Sequence, residues 1–204
     1  SVLGLDFAKK TLLDNKKRNK QILFVCGDAK RLPLKEKTLG MHFSLGVVEH
    51  FEEGPGRALN EAYRVLKNDG VLICSVPYHS PLRRVIWMFS SPSRGNAFYQ
   101  YFFTKKEFTR MLKQKGFFIK EIEYYDVEKG ILDFFASYKG RMRTIINETR
   151  EQNKKQKNVM IKSSQTIREM FCNSLFSFMR ALSKLRIIKI MSSHMILFVA
   201  SKKE

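Results

Sequence analysis

Short apolar runs alternate with amphipathic segments along the chain. The run ILFVC at residues 22–26 is short and continuous, which is typical of a strand buried on both faces, whereas residues 56–66 place apolar side chains at helical spacing. Strands are predicted at residues 1–6, 21–29, 39–48, 71–77, 117–125 and 193–203. Because strands alternate with helices, the pattern predicts an α/β fold with a doubly wound, mostly parallel sheet.

Helix signals are clearest in the second half of the chain. Thr104 and Glu107 form a capping-box pattern, and Gly116 ends the helical segment that follows. A second amphipathic stripe spans residues 165–186 within a strongly basic region. Because this stripe precedes the last predicted strand, we expect residues 139–190 to form a helical insertion or lid within a single domain of residues 1–204.

Composition narrows the class of protein. The 204 residues are 44% hydrophobic, which is enough for a globular core, and the three cysteines form no C-x-x-C pair. The apolar runs are too short to span a bilayer, and no signal peptide opens the chain. These features predict a cytoplasmic protein, with peripheral membrane attachment left open. The net charge of +19 fits either an anionic partner or solvated lysine-rich helix faces.

Five segments occur in an order and spacing that mark one enzyme family. They are VLGLDFAKKTLL, VCGDAKRLPL, FSLGVVEHF, ALNEAYRVLKNDGVLICSVP and YFFTKKEFTRMLKQKGFFIKEIE. Together they resemble the class I S-adenosylmethionine-dependent methyltransferases, nearest to the type 11-like branch that acts on small molecules. The resemblance implies a Rossmann-like fold, S-adenosyl-L-methionine as cofactor and methyl donor, and a small-molecule acceptor as partner.

The resemblance assigns cofactor contacts to the ends of the first two strands. Asp6 would accept hydrogen bonds from the ribose hydroxyls, and Asp28 would hold the adenine amino group with Ala29 lying against the ring. Each aspartate also has a simpler interpretation. Asp6 can cap the helix that follows it, and Asp28 belongs to a Gly-Asp turn sequence.

The end of the third strand combines a cofactor contact with candidate catalysis. The strand end at Ser44, Leu45 and Gly46 would contact the cofactor mainly through backbone atoms. Gly46 has a second interpretation, because a glycine in a strand can simply allow a bend. Glu49 and His50 follow, where the acceptor would meet the methyl group. A histidine can take the proton of a hydroxyl acceptor while Glu49 orients it, or His50 can simply pack the next helix. Related quinone-pathway enzymes have a further acid at the position of Gly46, so we expect no metal site.

Aromatic and basic residues after the fourth strand are candidates for the acceptor pocket. They are Trp87, Phe98, Tyr99 and Tyr101, with Arg83, Arg84 and Arg94 for an anionic group. Core packing explains the aromatic residues equally well, and His194 is expected to be structural. The chain has no N-P-P-Y tetrapeptide, which disfavours nucleic-acid bases as acceptors. We expect methylation at oxygen of a small-molecule or lipid- or sugar-linked acceptor. The alternative is a catalytically inactive module that binds RNA or an anionic membrane surface.

The family's glycine-rich loop, which should precede the strand ending at Asp6, is not found in this sequence. We therefore expect the first βα unit of the fold to be absent. Removing a central strand leaves two alternatives, because backbone groups need partners. Residues 2–5 would pair directly with residues 43–47, or a gap would remain between them.

Overall fold

Strands and helices alternate through the described residues of the computed structural model, which are 1–89, 98–130 and 185–202. The strands are β1 (Leu3–Asp6), β2 (Leu23–Cys26), β3 (Leu39–Leu45), β4 (Leu66–Pro77), β5 (Phe117–Tyr125) and β6 (Met195–Lys202). The helices are α1 (Lys9–Arg18), α2 (Gly56–Val65), α3 (Pro81–Phe89), α4 (Lys105–Gln114) and α5 (Arg186–Ser192), with a 3₁₀ turn at Val48–His50. All six predicted strands are confirmed.

The chain divides into two compact units. The first contains Ser1–Pro77, Ala97–Glu123 and Ile196–Glu204, and the second contains Tyr78–Asn96 and Tyr124–Met195. The predicted insertion at residues 139–190 lies outside the described residues, except for residues 185–190. The amphipathic stripe at residues 165–186 lies outside them as well, apart from its last two positions.

The strands of the first unit form two sheets. β1 and β2 make a two-stranded parallel sheet, and the other sheet has the order β3-β4-β6-β5 with β3 and β4 parallel. This confirms the α/β fold with a mostly parallel sheet. β1 and β3 belong to separate sheets, so the second of the two expected alternatives, an unpaired gap between them, is the one observed among the described residues.

The core of the first unit forms where α2 and α4 contribute apolar side chains beside those of β4 and β6. Its largest fully buried side chains include Phe108, Phe198, Leu59, Leu72 and Leu112. The rings of Phe108 and Phe198 lie 5.0 Å apart, which joins α4 to β6. These buried contacts hold the parallel strands whose carboxyl ends carry the candidate site.

The capping box at the start of α4 is confirmed. The Glu107 backbone N–H donates to the Thr104 hydroxyl at 3.2 Å, and the Thr104 N–H donates to the Glu107 carboxylate at 2.8 Å. Gly116 follows the helix with φ +88°, a conformation that glycine adopts without strain. Two elements differ from the prediction. Helix α3 was not expected, and β4 begins at Leu66 rather than at residue 71, so residues 67–70 belong to the strand. The pairing of β3 with β4 shifts register between Leu39 and Met41.

One prediction of burial is wrong. Residues 22–26 were expected to be buried on both faces, but Leu23 is 63% exposed because β2 is an outer strand of a two-stranded sheet. A strand is buried on both faces only when helices or other layers of the fold cover both of them. The same reason explains why Met41, Phe43 and Leu45, which alternate along β3, are exposed.

Candidate functional site

Asp6 and Asp28 lie at the carboxyl edge of the two-stranded sheet. Asp6 is the last residue of β1, and its backbone carbonyl accepts a hydrogen bond from Gly27, so Asp28 follows directly at the same edge. Asp6 Oδ1 accepts a hydrogen bond from the Ala8 N–H at 2.7 Å, and Asp28 Oδ1 accepts one from the Lys30 N–H at 2.8 Å. Each carboxylate therefore uses one oxygen to fix its own turn. The N-cap residue of α1 is Ala8, so Asp6 is not the cap itself.

Ala29 is half-buried in the turn that Asp28 holds. This turn is joined to the loop after β3 by the Lys30 side chain. Lys30 Nζ lies 2.9 Å from Glu53 Oε1 and 5.2 Å from the centre of the Phe51 ring. This pairing could not be predicted from sequence, because the partners are 23 positions apart and follow no periodic pattern. The structure thus connects the proposed adenine end of the site to the loop that carries Glu49 and His50.

The end of β3 turns sharply at Gly46. Ser44 and Leu45 complete the strand opposite Cys74 and Ser75 of β4, and the Gly46 N–H donates to the Ser75 carbonyl at 3.1 Å. Gly46 then adopts φ +67°, which a side chain would disfavour. The turn brings the following residues back over the strand end, since a Cβ placed on Gly46 would lie 3.5 Å from Glu49 Oε1.

The imidazole ring of His50 is held in one orientation by its contacts with Tyr99. Its Nδ1 lies 2.9 Å from the backbone carbonyl oxygen of Tyr99, and the Tyr99 ring meets the imidazole edge-on at 5.4 Å. A carbonyl only accepts hydrogen bonds, so the proton of the neutral ring resides on Nδ1 and Nε2 retains its lone pair. The His50 side chain is 41% exposed, which leaves it within reach of another molecule.

Residues 99–101 form a strap along the loop that contains Glu49 and His50. The Tyr101 N–H donates to the Glu49 carbonyl at 2.9 Å, and the Tyr101 hydroxyl donates to the Glu52 carbonyl at 2.7 Å. Sequence reasoning named Tyr99 and Tyr101 only as possible pocket walls. Their backbone and hydroxyl contacts, which fix the loop, carry no signal in the sequence.

Glu49 is almost completely buried, with 2% of its surface exposed. Its Oε2 has no hydrogen-bond partner among the described residues, and its Oε1 lies 3.9 Å from His50 Nε2. Burial raises the pKa of the Glu49 carboxyl, while a hydrogen bond from its own backbone and the nearby His50 oppose that shift. A buried carboxylate oxygen without a donor is costly, so this group is suited to meeting a cation or a hydrogen-bond donor.

Arg83, which was expected near the acceptor, and His194, which was expected to be structural, contact each other in the second unit. Arg83 is 7% exposed, and its guanidinium donates to the Tyr78 carbonyl at 2.9 Å and lies 2.6 Å from His194 Nδ1. The buried Arg83 side chain is thus engaged by groups of the protein, and its role toward an anionic group of the acceptor stays a prediction. The His194 carbonyl accepts the Tyr78 N–H at 2.8 Å, in line with its expected structural role. Arg94 lies outside the described residues.

Comparison with known proteins finds a family similarity in the first part of the chain. A family model described as a methyltransferase domain matches residues 1–74, the stretch that contains Asp6, Asp28 and the Glu49–His50 loop. Over these residues the chain is similar to methyltransferase domains, and the class I methyltransferases are the class whose fold it shares. No curated protein sequence matches it significantly. A methyltransferase domain of this class implies S-adenosylmethionine as the methyl donor.

Solved structures share the fold of this chain. A putative methyltransferase from Bacillus halodurans is 20% identical, with a TM-score of 0.55 over 100% of this chain and 83% of its own. The putative methyltransferase solved with the Haloferax volcanii Trm112 activator is 14% identical, with a TM-score of 0.56 over 99% of this chain and 71% of its own. The [4+2]-cyclase SpnF is 13% identical, with a TM-score of 0.57 over 99% of this chain. The chain spans 66% of the cyclase, just under two thirds. At these identities the likeness establishes the fold, and the fold hosts more than one reaction.

The residues present fit the cofactor that this class implies. S-adenosylmethionine carries a ribose, an adenine and a positively charged sulfonium with a neighbouring ammonium. The structure offers carboxylates at the ends of β1 and β2, a sharp glycine turn at the end of β3, and a buried carboxylate oxygen without a donor on Glu49. The described residues contain no group of three or more His, Cys, Asp or Glu side chains that could hold a metal ion. Within the described residues, no helix has the length and apolar character needed to cross a membrane.

Proposed function

We propose that the protein transfers a methyl group from S-adenosylmethionine to an oxygen atom of a small-molecule or lipid- or sugar-linked acceptor. The observation that carries this proposal is the fixed ring of His50, whose Nδ1 is engaged by the Tyr99 carbonyl while Nε2 remains available. This nitrogen stands beside a buried carboxylate at the carboxyl end of β3, the edge at which open α/β sheets bind ligands.

His50 would act as the general base. A hydroxyl must lose its proton as its oxygen attacks a methyl carbon, and Nε2 can accept that proton without any rearrangement of the ring. The imidazolium that results would keep its Nδ1–H bond to the Tyr99 carbonyl. It would also lie 3.9 Å from Glu49 Oε1, where an ionised carboxylate in a protein interior stabilises positive charge.

Six residues would hold the cofactor. They are Asp6, Asp28, Ala29, Ser44, Leu45 and Gly46. Asp6 and Asp28 each retain a second carboxylate oxygen beyond the one that fixes the local turn, so ribose and adenine contacts need no change in these turns. The bound cofactor supplies a methyl carbon activated by the sulfonium. The protein's task is then to place the acceptor oxygen in line with that carbon, since orientation provides much of the acceleration.

Exposed aromatic side chains favour an acceptor with apolar surface. Tyr99 is 74% exposed, and Phe98 and Tyr101 are each 38% exposed, with the rings of Phe98 and Tyr101 only 4.8 Å apart. Tyr99 and Tyr101 belong to the strap that fixes His50 and Phe98 directly precedes it, so an apolar acceptor resting on these rings would lie close to the base. Small-molecule sites commonly combine aromatic walls with a few fixed polar groups.

The test uses S-adenosylmethionine labelled with tritium in its methyl group, together with separated lipid and water-soluble extracts. We expect the wild-type protein to move label into a component of one extract and His50→Ala to do so at about one hundredth of that rate or less. Label that appears with equal rates for both proteins would contradict the role of His50. A folded protein that binds the cofactor but labels nothing in either extract would contradict methyl transfer to these acceptors.

The second candidate function is a binding module for an anionic surface. It is favoured by the basic face of α4, where Lys105, Lys106, Arg110 and Lys113 line one open groove. Such a face would attract anionic lipid or RNA, and the attraction would weaken with salt. Sedimentation with vesicles of anionic lipid, or binding to a random-sequence RNA, tests this function. Binding that is abolished by Lys106→Glu with Arg110→Glu, in a protein without transferase activity, would favour it over catalysis.

A further inference from the structure

The buried carboxyl group of Glu49 has one oxygen, Oε2, without a hydrogen-bond partner among the described residues. Only 2% of the residue is exposed, and Oε2 itself is buried. Proteins seldom bury a charged oxygen in this way, because its lost hydration is not replaced. Such a group either stays protonated or receives a positive partner from outside the chain.

The groups around Glu49 do not neutralise it. His50, on the same turn, approaches Oε1 but not within hydrogen-bond distance, and its Nδ1 is already engaged by Tyr99. From β4, the Cys74 thiol interacts with Glu49, and burial raises the pKa of this thiol to about 12, so it stays neutral. The Ser44 hydroxyl opposes that shift by interacting with the thiol. Burial without a paired cation raises the pKa of Glu49 itself.

The Glu49 carboxyl lies beside the Gly46 turn at the end of β3, where the cofactor would bind. Glu49 Oε1 lies 3.5 Å from where a Cβ of Gly46 would stand, and Gly46 turns the chain at the end of β3 with φ +67°. Under the proposed function, the backbone at the end of β3 contacts the bound cofactor. The acid therefore stands directly against the stretch that would contact a ligand bearing two positive centres, the sulfonium and the ammonium.

We propose that Glu49 is the counter-charge for the cationic end of the cofactor, and that cofactor binding releases the proton of Glu49 to solvent. The proposal rests on the proposed function, because it requires the cofactor to bind at the end of β3. It adds that the site is electrically neutral before binding and gains its negative charge only when the ligand's positive charge arrives. Affinity should therefore rise with pH until Glu49 is ionised without ligand, and the number of released protons should fall over the same range.

Titration calorimetry measures both quantities. The wild-type protein is titrated with S-adenosylmethionine at one pH in two buffers of different ionisation enthalpy, phosphate and Tris, and the difference in heat gives the protons released. Glu49→Gln keeps the shape of the side chain and removes the proton. Glu52→Gln is the matched control, because Glu52 is an exposed carboxyl three positions away on the same loop. His50→Ala accounts for any proton exchanged by the neighbouring imidazole.

We expect the wild type, Glu52→Gln and His50→Ala to release protons on binding and Glu49→Gln to release fewer. Glu49→Gln should also bind about tenfold more weakly or worse, as when a charged contact is lost. S-adenosylhomocysteine, which lacks the sulfonium charge, distinguishes the two cations. Weakening of both ligands assigns Glu49 to the ammonium, and weakening of S-adenosylmethionine alone assigns it to the sulfonium.

Equal proton release and equal affinity for the wild type and Glu49→Gln would overturn this inference while leaving the proposed function intact. A folded wild-type protein that binds neither ligand would instead refute the proposed function. Thermal melts of each variant establish folding before the titrations. Glu49→Asp offers a second variant, since it keeps the charge and should retain proton release.

Discussion

The Nδ1 atom of His50 lies 2.9 Å from the carbonyl oxygen of Tyr99, a residue 49 positions further along the chain. This contact selects the tautomer that carries its hydrogen on Nδ1. Nε2 then has a free lone pair that can accept a proton. Replacing His50 by alanine should lower turnover about a hundredfold or more and leave cofactor affinity unchanged. Turnover and affinity are measured on the same preparation, by label transfer and calorimetry.

Tyr99→Phe is the control for His50. It retains the backbone carbonyl that holds Nδ1 and removes only the tyrosine hydroxyl, so turnover should stay close to wild type. If His50 only packs against its neighbours, His50→Ala will lower the melting temperature while turnover per folded molecule is unchanged.

The carboxylates of Asp6 and Asp28 provide a separate test of the cofactor site. Each uses one oxygen to hold its own turn, so asparagine at these positions keeps the turn acceptor and removes the charge. Asp6→Asn and Asp28→Asn should each weaken S-adenosylmethionine binding by about 1.5–3 kcal/mol, the size of a hydrogen bond to a charged group. Calorimetric titration gives the affinities.

Asp14→Asn serves as the control for both aspartates. Asp14 is an exposed carboxylate of α1 that contacts only Lys17 among the described residues, so its loss should leave affinity unchanged. Unchanged affinity in both site variants as well would refute the assignment of the cofactor contacts.

The pH dependence of stability should reveal the burial of Glu49. Its pKa in the folded protein is raised by burial above the value in the unfolded chain. The carboxyl therefore contributes stability below its unfolded pKa, and this contribution is lost as pH rises through its folded pKa. In Glu49→Gln this loss is absent. The difference in unfolding free energy between wild type and variant, measured by urea denaturation over a pH series, should move in favour of the variant as pH rises.

Glu52→Gln should show no such trend, because Glu52 is exposed. A difference between wild type and Glu49→Gln that is independent of pH would show that the carboxyl is not desolvated in solution.

Local rules predicted local structure well. The capping box of Thr104 and Glu107 and the bounds of β5 follow from neighbouring residues, and both are confirmed. The fold class followed from the alternation of strands and helices. Burial did not follow in the same way, because the exposure of Leu23 depends on which strands and helices lie beside β2, and the run of apolar residues does not specify them.

The candidate site was predictable only as a set of residue types at strand ends. The resemblance placed Asp6, Asp28 and Glu49 at carboxyl edges, and the structure has them there. What it could not supply were contacts between distant positions, such as the Tyr99 carbonyl on His50, the Lys30–Glu53 ion pair and the inward turn of Arg83. Such contacts depend on the packed positions of loops, which leave no periodic trace in the sequence.

The turn at Gly46 should be more sensitive to substitution than its sequence neighbourhood implies. Gly46 has φ +67°, and an added Cβ would meet Glu49 Oε1 at 3.5 Å, an ordinary contact, so the cost of alanine here comes from the backbone. Gly46→Ala should therefore lower the free energy of unfolding by about 1–2 kcal/mol. Gly40, on the same strand, has open space around its Cβ position and no positive φ, so Gly40→Ala should be neutral or raise stability by about 0.5–1 kcal/mol. Urea denaturation of the two variants measures this contrast. Equal effects of the two substitutions would mean that the chain does not turn at Gly46, and that Glu49 does not stand over the end of β3.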